Sequence, residues 1–212
     1  MLKSLENIDF STTLKIYVIG EKGYNTLKSK GYSCYFLETE TIDCEKSSQF
    51  RMNNWHNITK RKFEIIYNNL LEHKYVCFTD GDIVFQNTEF MKYCLSNISI
   101  NDMLIQNDTM FNNDTSVLCS GFMFIKSNNK TLDFFNPKNV YKFVKPGWDD
   151  QIYVNQFKYK LIIDTLPLEY FPNGKYYYTY SNILYPYLIH FNWLIGNEKK
   201  NKMLKYNKWF IN

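Results

Sequence analysis

Apolar and polar positions alternate between two periods along the chain, and the changes of period predict the elements. Leu14–Ile19 (LKIYVI) is a short apolar run ended by Gly20, which predicts a first strand. The stretch from Tyr24 to Lys30 has helical character and stops at Gly31. Ser33–Leu37 (SCYFL) predicts a second strand. Between Asn54 and Glu72 the apolar positions Trp55, Ile58, Phe63, Ile66, Tyr67, Leu70 and Leu71 follow the spacing of one helix face. That helix runs into Tyr75–Phe78, a buried-strand pattern that stops at Asp80, and the apolar run resumes at Ile83–Phe85. Downstream, Asp102–Gln106, Gly121–Ile125, Leu161–Ile163 and Tyr187–His190 predict strands. Thr131–Phe135 and Gln151–Phe157 predict helices, and a basic helix is expected from Gly196 onward. Pro167, Pro172 and Gly174 mark an irregular stretch. The order strand, helix, strand, helix, strand predicts an α/β fold with a mostly parallel central sheet flanked by helices.

Length and composition narrow this picture. The chain has 212 residues, 45% of them hydrophobic, which suits one domain over residues 1–212 with a single good-sized core, standing alone or as a part of a longer protein. Aromatic residues reach 18%; most fill the core, and some tyrosines suit a polar groove because they join a flat body to a polar tip. The net charge of +4 is mild and shows no basic-aromatic motif, which argues against a nucleic-acid partner. Lys199, Lys200, Lys202, Lys205 and Lys208 cluster near the end of the chain; a solvated helix face and an anion-binding face both fit them. Five cysteines, Cys34, Cys44, Cys77, Cys94 and Cys119, make no CxxC pair, and an odd number excludes a complete disulfide framework. The first twenty residues carry no signal-peptide pattern, because Glu6 and Asp9 interrupt any apolar stretch. No run of about 20 apolar residues occurs, so the expectation is a chain without a membrane span, working in the cytoplasm.

Candidate chemistry sits where the Tyr75–Phe78 strand ends. In parallel sheets ligands bind beyond the C-terminal ends of strands, and Asp80-Gly81-Asp82 falls there. Two carboxylates around a glycine offer hard oxygen ligands to Mg²⁺ or Mn²⁺, with room for a phosphate. Asp-Gly is also a common solvated turn. Here, however, the turn closes a buried strand, where a carboxylate without a cation would be costly. A second element, His190-Phe191-Asn192-Trp193-Leu194-Ile195-Gly196-Asn197-Glu198-Lys199-Lys200, ends an apolar strand with a histidine and follows it with a glycine and a lysine pair. Neutral imidazole is a possible third ligand, glycine lets backbone approach phosphate, and lysine pairs with it as a point charge. A histidine on an apolar strand also reads as a satisfied core residue.

The stretches KRKFEIIYNNLLEHKYVCFTDGDIVF, LCSGFMFIKS, WDDQIYVN, LPLEYFPNG and LIHFNWLIGNEKK, in that order, resemble the GT-A-fold nucleotide-diphospho-sugar transferases, the retaining group related to plant and viral sugar transferases. The resemblance covers about Thr12 to Trp209. It implies a single GT-A, Rossmann-like domain that uses Mn²⁺ or Mg²⁺ and a UDP-sugar donor and acts on a glycan or glycoprotein acceptor. It implies Asp80 on the ribose and the metal, Asp82 as direct metal ligand and His190 as the third ligand. It implies Gly196 with Lys199 or Lys200 at the diphosphate, and Lys62 or its neighbour Arg61 near the nucleotide. Asp150-Gln151 matches the family's pair beside the donor sugar and supplies the candidate catalytic groups. Ser120-Gly121 matches a small-residue step against donor or acceptor, and Asp108 a carboxylate on sugar hydroxyls. The chain departs from the pattern at Phe191 and at Gly81, where relatives often carry a smaller or polar residue and alanine respectively. Two other readings compete: a non-catalytic nucleotide-sugar or glycan-binding domain on the same fold, and a metal-dependent phosphohydrolase or nucleotidyltransferase. The last would usually need more acidic ligands for a two-metal site.

Overall fold

The computed structural model describes residues 1–10, 12–37, 55–144 and 146–210. Cys44 and the expected helix start at Asn54 lie outside the described residues, and so does the side chain of Trp55. A short helix, α1 (Leu2–Asn7), precedes β1 (Ile16–Ile19), α2 (Glu21–Ser29) and β2 (Cys34–Leu37). The two strands pair in parallel, with Ile16 opposite Cys34. The long amphipathic helix α3 (Trp55–Glu72) then leads into β3 (Tyr75–Thr79) and β4 (Ile83–Phe85). Next come α4 (Glu89–Asn97), β5 (Met103–Asn107), β6 (Leu118–Lys126), α5 (Asn129–Phe135), α6 (Pro137–Val140) and α7 (Asp150–Phe157). The chain closes with β7 (Ile163–Leu166), α8 (Gly174–Tyr180), β8 (Leu188–His190) and α9 (Gly196–Lys205). No helix among the described residues is long and apolar enough to cross a membrane.

The central sheet has the order β3-β6-β5-β7. β5 and β7 pair in parallel, whereas β6 is antiparallel to both β3 and β5. Three of the four strands therefore share one direction and β6 reverses it, so the sheet is mixed rather than wholly parallel. The connection from β5 to β6 explains the reversal: it spans residues 108–117 and contains no helix, and a parallel return needs a longer crossover.

β6 is buried from Leu118 to Ile125 because both faces of the sheet are covered. Its side chains still alternate between two layers. Met123 and Ile125 join Phe63, Ile66 and Leu70 of α3. Phe122 and Phe124 join Phe85, Phe90, Phe171 and Leu188 on the other face. Each fully buried aromatic or aliphatic side chain of this kind stabilises the fold by roughly 1.5–3 kcal/mol.

Four of the described helices do not follow from the apolar pattern: α1 and α6 are only six and four residues long, too short to show a period, and α4 and α8 hide it for other reasons. α4 carries only Phe90 and Cys94 as buried residues. α8 begins at Gly174 and is rich in tyrosine, a composition that reads as irregular chain; it is started by Asn173, whose side chain accepts the backbone N–H of Tyr176. β7 also sits later than the apolar triplet Leu161–Ile163, at Ile163–Leu166, because Met103–Gln106 of β5 pairs there.

Candidate functional site

β3 ends at Thr79, and the backbone N–H of Asp80 still donates to Gly121 O of β6 at 2.8 Å. The chain then turns through Gly81 and Asp82 into β4, which pairs antiparallel with β8, Ile83 opposite His190. Phe191 N–H donates to Asp82 O at 3.1 Å and extends that ladder past its end. Pairing of two three-residue strands thus carries a histidine from the far end of the chain to the acidic turn. Nε2 of His190 lies 3.2 Å from Oδ1 of Asp82. One ligand atom from each of Asp80, Asp82 and His190 falls within 4.8 Å of the others. Gly121 leaves the room: a Cβ there would sit 2.2 Å from Cε1 of His190 and 3.0 Å from Oδ2 of Asp80.

The charges at this point fit a divalent cation. Burial raises the pKa of Asp80, and Lys62 opposes that rise while Asp82 and Asp150 add to it. Burial also pushes Asp82 upward, but His190 and Lys199 outweigh it and hold its carboxyl well below the usual range. For His190, burial disfavours the charged imidazole, yet Asp82 and Cys119 prevail and raise its pKa well above the ordinary 6.5. Nζ of Lys199 lies 2.5 Å from Oδ2 of Asp82. Two carboxylates and one imidazole, a hard-oxygen and nitrogen donor set, suit Mn²⁺ or Mg²⁺.

A second cluster adjoins the first. Lys62 of α3 pairs with Asp150, lies 3.2 Å from Oδ1 of Asp80 and donates to Ser120 O at 3.3 Å. Ser120 Oγ donates to Asp150 Oδ2 at 2.5 Å. Desolvation works against the ammonium of Lys62, but Asp150 and Asp80 more than restore it, so its pKa is raised. The two neighbouring aspartates at the start of α7 divide their tasks. Asp149 caps the helix by accepting from Ile152 N at 2.8 Å, and Asp150 turns into the cluster. Asn155, one turn further along α7, accepts from Leu118 N and donates to Leu118 O, both at 2.8 Å. That amide docks α7 onto the start of β6. In β6 itself, Ile105 of β5 pairs with Met123 but Gln106 pairs with Cys119. The ladder is interrupted over Ser120, Gly121 and Phe122, an irregularity of the kind that re-aims side chains beside active sites.

The third cluster centres on Asp108. Its Oδ2 accepts from Gln151 Nε2 at 3.0 Å, and its Oδ1 accepts from Asn192 Nδ2 at 3.0 Å and Trp193 Nε1 at 3.1 Å. Asn192 and Trp193 were not among the residues singled out from the sequence. Neither were Gln106, which bonds to Nδ1 of His190 at 2.7 Å, and Asn173, wholly buried and donating to the carbonyls of Asn107 and Thr109. Trp193 adopts a left-handed φ of 66°, uncommon for a bulky residue. The sequence signal for Gln106 is an amide pair, Gln106-Asn107, directly continuing the apolar run Met103–Ile105 of β5.

Some expected residues stand apart. Lys200 is exposed, with Nζ 5.4 Å from the ring centroid of Trp209. Gly196 starts α9 at a φ of 54°, with open space where a Cβ would be. Arg61 makes an ion pair with Glu64 at 2.6 Å. A cleft of about 1390 Å³ runs from β1, through Tyr17 and Val18, past Ile65 and Lys62 to the Asp80–Asp82 turn and Lys199.

Residues 16–204 match the family described as nucleotide-diphospho-sugar transferase. A UDP-galactose:fucoside alpha-3-galactosyltransferase of Dictyostelium discoideum is 28% identical over 174 residues, which is 65% of this chain and 25% of that protein. The chain thus spans about a quarter of that relative's length. Among solved structures, the glycosyltransferase involved in glycosylation of the major capsid of PBCV-1 superposes with a TM-score of 0.56 at 11% identity, covering 91% of this chain and all of that one. An active-site mutant of LgtC superposes with a TM-score of 0.58 at 10% identity, covering 97% of this chain and 89% of that one. Likeness at such low identity speaks for the fold, and the fold is that of the GT-A glycosyltransferases.

Proposed function

The chain belongs to the nucleotide-diphospho-sugar transferase family, and on that premise we propose that it moves a sugar from a UDP-sugar donor to a glycan or glycoprotein acceptor, with retention and with Mn²⁺ or Mg²⁺ as cofactor. The observation that carries the reading is the convergence of Asp80, Asp82 and His190 within 4.8 Å. The names of the similar galactosyltransferase and capsid glycosyltransferase support the class of reaction.

A divalent cation held by Asp80, Asp82 and His190 would neutralise charge on the diphosphate as it departs. The protein supplies the rest. Lys199, beside Asp82, adds a positive charge for the same leaving group, with the open backbone at Gly196 at the start of α9 and Lys200 next to Lys199. Such preformed charge is the main electrostatic contribution to lowering the barrier. Lys62 meets the nucleotide side of the cleft and holds Asp150 in place. Asp150, aligned by Lys62 and Ser120, faces the positive charge that develops at the anomeric carbon, as carboxylates do in other glycosyl transfers; Gln151, tied to Asp108, is the alternative group on that side. Ser120 and Gly121 let the donor or acceptor lie against backbone, and Asp108 takes sugar hydroxyls. In the retaining course the acceptor hydroxyl enters from the face the diphosphate leaves, and the departing phosphate takes its proton.

The test is a screen of nucleotide sugars with Mn²⁺, reading nucleoside-diphosphate release. Release from one donor, lost in excess EDTA and in Asp82→Ala, is the expected result. Tight UDP binding without release from any donor would instead identify a binding domain, and turnover surviving both treatments would remove the metal from the reading.

A further inference from the structure

We infer that Gln106 is a positioning residue that keeps a proton on Nδ1 of His190 and so reserves Nε2 for the cation. This inference rests on the metal-site reading above and deepens it. Gln106 is wholly buried in β5. An amide can be placed either way round, but here both hydrogens of its Nε2 are spoken for: they go to the carbonyls of Phe171 and Pro172, each at 3.0 Å. Those backbone oxygens can only accept, which orients the amide and leaves Oε1 facing the imidazole. Oε1 lies 2.7 Å from Nδ1 of His190 and is itself only an acceptor, so Nδ1 must be the donor. The competing acceptor, Sγ of Cys119, is further away at 3.6 Å.

The consequence falls on the other ring nitrogen. Nε2 points to Asp82 at 3.2 Å and to the space above Gly121. When the imidazole gives up a proton to make a ligand lone pair, the proton lost is the one on Nε2, because the one on Nδ1 is held by an acceptor with no alternative arrangement. Ring tautomer and ring orientation are thus set by a chain of three parts: the Phe171–Pro172 backbone, the Gln106 amide and the imidazole. A partner of this kind fixes the ligand and strengthens it toward a cation. Sγ of Cys119 accepts from Asn192 Nδ2 at 3.7 Å.

The experiment measures Mn²⁺ binding without any sugar donor, by electron paramagnetic resonance of the free ion, in the wild type, Gln106→Met and Gln106→Glu. It is paired with nitrogen NMR of histidine-labelled, Mg²⁺-saturated wild type. The expected results are an Nδ1–H with an unprotonated Nε2 in the wild type, an affinity weakened by about 10- to 100-fold in Gln106→Met, and recovery toward wild type in Gln106→Glu, which keeps an acceptor at Nδ1. Wild-type affinity in folded Gln106→Met, or a wild-type imidazole protonated at Nε2 with Nδ1 bare, overturns the inference. Should Gln106→Met fail to fold, the tautomer of the wild type still decides. Failure of the metal reading looks different: the wild type binds no cation, or His190→Ala binds it unchanged. The tautomer is then read in the metal-free protein at alkaline pH, where a proton on Nε2 again overturns the role of Gln106.

Discussion

Gly121 and His190 are in direct apposition: a Cβ on residue 121 would lie 2.2 Å from Cε1 of the imidazole and 3.0 Å from Nε2. The glycine is demanded by space rather than by backbone conformation, because it is not one of the glycines with a left-handed φ. Gly121→Ala must therefore push the ring or the Asp80 carboxylate aside. We expect a folded protein destabilised by about 1–3 kcal/mol, with Mn²⁺ affinity and donor turnover both reduced by at least about tenfold. Thermal unfolding and metal titration on the same sample check this, and an alanine variant with wild-type metal affinity would contradict the placement of His190.

The opposed shifts of Asp82 and His190 set a pH dependence. A histidine raised above 6.5 contributes stability that is fully present below 6.5 and is lost as pH rises through its raised value. A carboxylate depressed below 3.8 contributes stability present above 3.8 and lost as pH falls through its depressed value. In the metal-free protein both contributions are whole between about pH 4 and pH 6.5; the histidine's fades on the alkaline side and the carboxylate's on the acid side. Cation binding needs the Nε2 proton to leave, so apparent Mn²⁺ affinity should rise with pH, by up to roughly tenfold per unit while one proton is released. Calorimetric titrations across neutral pH measure the slope, and a flat profile in the wild type would return the imidazole to a core role.

Lys62 is the cation of a nearly buried cluster, with side-chain exposures of 12% for Lys62 and 9% for Asp150. Lys62→Met leaves that carboxylate without its partner, a loss expected to cost about 3–5 kcal/mol. Adding Asp150→Asn to the same chain should restore much of the stability and none of the activity. Urea unfolding of the two variants separates the structural from the functional part; additive losses would mean that the pair does not interact.

Lys199 and Lys200 are neighbours with different surroundings, one at Asp82 and the other over Trp209. Lys199→Ala should lower kcat/KM for the donor by about 10- to 100-fold, the loss expected when one preformed charge at a leaving group is removed. Mn²⁺ alone should bind the variant as well as, or more tightly than, the wild type, since the ammonium competes with the cation for Asp82. Lys200→Ala should change kcat/KM by less than Lys199→Ala. Equal effects of both on the donor would show that the ion pair with Asp82 does not persist during turnover.

Much of the fold was readable because it is local. The apolar face of α3, the run of β3 and the break at Asp80-Gly81-Asp82 each declare themselves within a few residues. α1, α4, α6 and α8 did not, because α1 and α6 are a turn or two long, α4 buries few residues and α8 opens on a glycine and a row of tyrosines. The site was readable in part. Asp80 and Asp82 stand out as a turn, and His190 as the end of an apolar strand. The division of Asp149 and Asp150 into cap and cluster depends on where α7 starts to within one residue, a precision that periodicity lacks. Gln106 gave only the small signal of an amide pair continuing an apolar run, and its partner is an imidazole at the other end of the chain.

Taken alone, the amino-acid sequence determined the strands and the long helices, the acidic glycine turn and the kinds of ligand atom on offer, since these depend on neighbours a few bonds away. Tertiary structure decided which of them meet. The pairing of Ile83 with His190, the reversal of β6 and the interrupted ladder at Ser120–Phe122 are matters of register between distant strands. A slip of one residue in any of them turns a side chain to the opposite face of its sheet. The convergence on a common point is therefore a property of packing, which selects one register out of several that the local pattern allows.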